Sequence, residues 1–147
     1  LAIARKVKEL KRKVDVVSLE LDKNLQPCLD SLFQERRKTD YSEFPGLGYT
    51  IDFCVTNGIP MFASDRNQQQ YFREIVNMNL RLQEKASRTP KKGLDEIVKE
   101  WQDTLNEMER QRAEHASREL QKLSKAVEGN IYHISSERQA RIIGELI

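Results

Sequence analysis

From Leu94 to Val127 apolar residues return at helical intervals, and the next backbone breaker is Gly129. Leu94, Val98, Trp101, Leu105 and Met108 step by four and three residues, and a charged and small interval follows at Arg112 and Ala116. Leu120, Leu123 and Val127 then resume the stripe. A segment written this way is satisfied by a long amphipathic helix that buries one seam. Such a helix runs about 50 Å at 1.5 Å per residue. The remainder of the chain must cover that seam or leave it to a partner.

The first segment carries a matching pattern. Ile3, Val7, Leu10, Val14, Val17 and Leu21 follow the alternation of a heptad seam, which predicts a coiled-coil helix over 1–37. Leu25, Leu29 and Leu32 continue the stripe as a stutter, and Pro27 predicts a kink or break inside it. Composition agrees with long helices: hydrophobic residues are 38% and charged residues 33% of the 147, with few glycines and prolines. The pattern at Leu1 is already helical in period, so a preceding segment is expected.

Residues 51–64, IDFCVTNGIPMFAS, break the helical rhythm. Tyr49, Ile51, Phe53 and Val55 alternate with Thr50, Asp52, Cys54 and Thr56, the period of a half-buried strand. Asn57-Gly58 suits a two-residue hairpin turn needing positive φ. Ile59, Met61 and Phe62 would return as a second strand, with Pro60 on an unpaired edge. The expectation is a hairpin, or failing that an apolar loop, at 44–64. Phe53, Ile59, Met61 and Phe62 would form its tip, plugging the end of the rod or offering a recognition surface.

A third helix is expected over 65–88, capped by Ser64 or Asp65. Tyr71, Ile75, Met78 and Leu82 make one stripe and Phe72, Val76 and Leu80 a second, a face wide enough for two neighbours. A loop follows at 89–93, then the long helix over 94–147 with a break near 129–130. The fold class so predicted is mainly α: one elongated helical bundle or coiled coil over 1–147, with a small β-hairpin insertion near a helix turn. The seams at 3–32 and 94–127 would pair antiparallel within the chain, or each with another chain.

Catalytic chemistry needs converging titratable groups, and the sequence offers few. On one unbroken helix His115 and His133 would lie about 27 Å apart, which reads as two surface histidines. Cys28 and Cys54 have no CxxC spacing, so reduced thiols and an intracellular reducing compartment, cytoplasm or nucleus, are expected. No catalytic, cofactor-binding or metal-ligating residue is assigned, and an enzyme is not expected.

The function expected is a non-enzymatic scaffold or assembly subunit that holds a protein partner, or a second copy, through its seams. Val7, Leu10, Val14, Val17, Trp101, Leu105 and Met108 would carry association. The alternative is a nucleic-acid-binding arm using basic clusters at 5–13, 36–38 and 88–92, although a net charge of +2 gives no global attraction to phosphate. No membrane partner is expected. Arg88-Thr89-Pro90-Lys91-Lys92 resembles a substrate motif of proline-directed kinases, which makes Thr89 a candidate phosphosite.

Overall fold

The computed structural model describes residues 14–39, 44 and 46–146. It is mostly helical, as expected, but its base is a parallel sheet rather than a coiled coil. Three strands, β1 (Val16–Asp22), β2 (Met61–Asp65) and β3 (Ile131–Ile134), lie in the order β2-β1-β3. Between β1 and β2 come helices α1 (Gln26–Glu35) and α2 (Gly48–Asn57). Helices α3 (Gln68–Ser87) and α4 (Leu94–Ala126) separate β2 from β3, and α5 (Glu137–Leu146) follows.

The heptad assigned to the first segment is overturned where the structure describes it. Val14 is buried ahead of β1, and Val17 is wholly buried inside it; Val7 and Leu10 lie outside the described residues. The reason is that β1 is the central strand, buried on both faces. Val17, Leu19 and Leu21 point into one core while Val16 and Ser18 are buried on the other side. A two-sided apolar run contains residues at almost any spacing, a heptad included. Pro27 then opens α1, where its missing amide is harmless, instead of kinking a longer helix.

The hairpin is overturned as well, because its expected first strand is helical and its return strand, β2, pairs instead with β1, in parallel and across a crossover. Residues 48–57 form a helix. Its buried side chains, Thr50, Ile51, Cys54 and Val55, sit at helical spacing against β1 and β2, and this packing outweighs β propensity. The signal at Gly58 was real but served another turn. Gly58 has φ 64° and ends α2. Its amide donates to Val55, and the Ile59 amide donates to Cys54, the two bonds of a Schellman motif. Of the expected tip residues, Ile59 and Met61 are core, Phe53 is half-buried on α2, and Phe62 is partly exposed on β2.

Gly58→Val is expected to destabilise by about 1–2 kcal/mol, the cost of a left-handed backbone for a side chain with a Cβ. An added Cβ there meets nothing within 4 Å, so the loss is backbone strain alone. Urea melts of Gly58→Ala and Gly58→Val test this; a valine variant as stable as wild type would remove the helix-cap assignment.

The crossover from β1 to β2 and the one from β2 back past β1 to β3 run in opposite directions across the sheet, which for right-handed connections places their helices on opposite faces. Packing agrees. Helices α1 and α2 cover the face bearing Val17, Leu19, Met61 and Ile134. On the other face Ala113, Ala116 and Leu120 of α4 pack with Ile143 of α5 and with Ile131. The Gln26 side chain guards the outer edge of β2, donating to the Met61 carbonyl at 3.0 Å and accepting from the Ala63 amide at 2.7 Å. An edge strand capped this way is blunted against further pairing.

The first half of α4 does not pack on the sheet. It pairs with α3 around Tyr71, Met78, Leu82, Ile97 and Met108, making a two-helix arm. Among the described residues, the first half of the expected seam meets α3 through Leu94, Leu105 and Met108, while Val98 and Trp101 stay exposed. After Ala126 the helix stops: Val127 is extended, Gly129 has φ 121°, and His133 falls in β3 rather than on a helix.

Candidate functional site

Ligand sites of open parallel sheets lie beyond the carboxyl ends of strands, where neighbouring connections depart to opposite faces. Here that point lies between β1 and β2. The strands end in Glu20, Asp22 and Asp65, and a one-residue irregularity in β1 between Leu19 and Asp22 shifts their register. Asp22 is occupied with backbone. One of its oxygens accepts from the Asn24 amide at 2.8 Å and the other from the Gln68 amide at 2.9 Å, tying the starts of the α1 and α3 connections together.

Glu20 and Asp65 face Arg112 of α4. The Arg112 guanidinium holds Asp65 through Nε at 3.0 Å and Nη2 at 2.5 Å, and reaches Glu20 at 3.1 Å. It also approaches Glu109 at 3.8 Å and stacks 5.1 Å from the centre of the Tyr71 ring. Tyr71 donates its hydroxyl to Glu109. Buried Gln139 of α5 donates to the Glu109 side chain at 2.5 Å and to its carbonyl at 3.1 Å. The Ser136 amide donates to Glu20 at 2.7 Å. One cluster thus joins two strands and three helices.

Burial pushes the Glu20 carboxyl above its ordinary range, against the pull of the Ser136 amide and Arg112. Burial and the bond to Glu109 push the Tyr71 hydroxyl up to about 12. Burial would lower Arg112, but Asp65, Glu20 and Glu109 together hold it above the usual guanidinium range. The donors and acceptors of this cluster answer one another. Among the described residues no group of three or more His, Cys, Asp or Glu side chains is arranged to hold a metal ion. Its chemistry is that of a clasp, fixing the root of the α3–α4 arm to the sheet.

The arm carries a different feature. Of the seven large hydrophobic residues that are exposed among the described residues, Phe72, Val76, Leu80, Val98 and Trp101 are five, and all lie on α3 or α4 of the arm. Phe72 and Leu80 are 61% and 60% exposed. They flank Val76 at four-residue steps, one stripe along α3. Trp101 stands 40% exposed over a groove lined by Asn79, Gln83 and Val98, its indole N–H donating to Asn79 at 2.9 Å. At 100° per residue Gln83 falls between Phe72 and Val76, so groove and stripe share a side of the arm.

Of the expected seam residues on α4, Met108 is buried, Leu105 half-buried, and only Trp101 is free at the surface. The structure does not bring these three together with Val14 and Val17, which lie in the sheet layer. Thr89 is at the arm tip, half-buried, its hydroxyl donating to the Lys85 carbonyl at 2.6 Å as α3 ends. Sequence reasoning missed the clasp, whose members Glu20, Asp65, Glu109 and Arg112 are far apart in the chain and look like ordinary helix-surface charges. The exposed stripe was legible, since Phe72, Val76 and Leu80 form a second face that one neighbour leaves uncovered. No helix among the described residues is long and apolar enough to cross a membrane. Comparison with protein families, curated proteins and solved structures finds no match.

Proposed function

We propose that this chain is a non-enzymatic assembly subunit, in which an α/β base holds a two-helix arm that pairs with the arm of a second copy. The observation that carries this reading is the concentration of exposed Phe72, Val76, Leu80, Val98 and Trp101 on one arm. Two helices alone bury one seam, and a second apolar face on the same pair needs another surface. The stripe is symmetric about Val76. An antiparallel copy sets Phe72 against Leu80 twice, around a Val76–Val76 contact, which is the self-complementarity an isologous two-fold interface requires. A clasped root favours this use, because a rigid arm loses little freedom when it docks.

Phosphate binding by the basic clusters has less support. Arg37 pairs with Glu35 and Arg88 with Glu84, and residues 5–13 lie outside the described residues.

Sedimentation equilibrium tests the reading. Wild type is expected near twice the chain mass, and Phe72→Glu with Leu80→Glu near one chain mass. Melting of the isolated chain should change by no more than about 0.5 kcal/mol, as for surface sites. A monomeric wild type would sink self-pairing, and an unchanged dimer in the double variant would move the interface off this face.

A further inference from the structure

The sequence holds four prolines, and only Pro90 follows a hydroxyl residue, in the run Arg88-Thr89-Pro90-Lys91-Lys92. That run is the turn between α3 and α4, at the tip of the arm. Thr89 is half-buried there, and Ser87, Arg88, Pro90, Lys91 and Lys92 are exposed. Pro90 is extended, with φ −57° and ψ 150°, and its ring biases Thr89 away from the helical region. Residues 85–94 carry four cations, Lys85, Arg88, Lys91 and Lys92, and no carboxylate.

Thr89 finishes α3 with its own side chain. Its hydroxyl donates to the Lys85 carbonyl at 2.6 Å. The amides of Arg88 and Thr89 donate to the carbonyls of Lys85 and Ala86, each at 3.2 Å. The Thr89 methyl closes on Gly93, where an added Cβ would lie 2.7 Å from it. The side chain is therefore wedged in the joint, its hydroxyl on α3 and its methyl toward α4. The Gly93 amide completes the turn by donating to the Pro90 carbonyl at 2.8 Å. Opening residues 87–92 breaks these few surface bonds and uncovers no buried side chain, so the turn belongs to the easily opened part of the fold.

We propose that Thr89 is a phosphorylation site for a proline-directed serine/threonine kinase, and that the phosphate uncaps α3 at the arm tip. The kinase brings ATP. The bond from the γ-phosphorus to the β-phosphate oxygen breaks and a bond to Thr89 Oγ1 forms. ADP leaves, and the hydroxyl proton passes to a kinase carboxylate. The product has no O–H to give the Lys85 carbonyl, and its charge of roughly −1.5 to −2 lies at the negative end of α3. It turns toward Arg88, Lys91 and Lys92 instead, drawing Arg88 from its exposed pair with Glu84. The site lies beyond the Phe72–Leu80 stripe and does not depend on arm pairing.

Treating the folded full chain with a purified cyclin-dependent-class kinase and Mg-ATP tests it, with mass spectrometry of fragments. One phosphate per chain is expected, on Thr89. Thr89→Ala should take none, Thr89→Ser should accept it, and Pro90→Ala should lower kcat/KM about ten-fold or more. In the phosphorylated chain the amides of Arg88 and Thr89 should exchange about three- to ten-fold faster, as for one lost hydrogen bond, with Met78 to Leu82 unchanged. No incorporation by the folded chain would overturn the proposal. So would phosphate on another residue, a Pro90→Ala chain modified as fast as wild type, or equal exchange at Arg88 and Thr89 with the phosphate in place.

Discussion

Arg112→Ala is expected to lower the unfolding free energy by about 3–5 kcal/mol, the usual loss when one partner of a buried charge pair is removed. The substitution takes away one cation and strands three carboxylates. Asp65 is 2% exposed and both its oxygens are held by the guanidinium, so it would keep only the Arg66 amide and the Gln68 side chain; Glu20 and Glu109 keep only their amide and hydroxyl partners. Urea melts give the size of the effect. Asp65→Asn in the Arg112→Ala background should recover part of it, because the buried charge goes while its shape stays.

The sign of the pH dependence follows from Glu20. Its folded carboxyl sits above its ordinary range and loses Arg112 as a counter-charge in the variant, so it binds a proton more readily folded than unfolded. A raised carboxyl stabilises below its unfolded value and loses that contribution as pH rises through the folded one. The deficit of Arg112→Ala should therefore narrow as pH is lowered into the carboxylate range. A loss under about 1 kcal/mol at pH 7, with no narrowing, would reduce the cluster to a surface network.

Leu19→Ala should cost about 2–5 kcal/mol, the range for a fully buried leucine leaving a cavity. For a chain of this size the melting temperature should fall by roughly 5–15 °C. Leu19 is wholly buried among the residues that join β1 to α1 and α2. The choice is diagnostic. On a heptad through Val14, Val17 and Leu21, Leu19 points away from the seam, and its truncation would be nearly silent. A melting temperature within a degree of wild type would restore the helical reading of residues 14–22.

Much of the helical half of this protein could be read directly from the residues. The stripe from Leu94, the paired stripes between Tyr71 and Leu82, and the breakers Pro90, Gly93 and Gly129 are local signals, each answered by structure within a few residues. Helix α4 runs Leu94–Ala126 and α3 runs Gln68–Ser87. Gly58 was marked as a positive-φ position, and it is one. The sequence could not say which turn used that freedom, because a hairpin and a helix cap ask the same thing of glycine.

Tertiary structure decided the rest. VVSLELD is a strand because β2 and β3 flank it and helices cover both its faces; partners 46 and 115 residues away in the chain, Ser64 and His133, lie against Ser18. A central parallel strand is apolar on both sides, so it carries no alternation that would separate it from a buried helix. GYTIDFCVTN is a helix because Ile51 and Cys54 meet the sheet at helical spacing, although its own alternation is that of a strand. The clasp and the Ser18–His133 contact depend on the same long-range closure. Charges and polar groups drawn from separate segments acquire partners only when the crossovers bring strand ends and helix faces together, and no local pattern records that meeting.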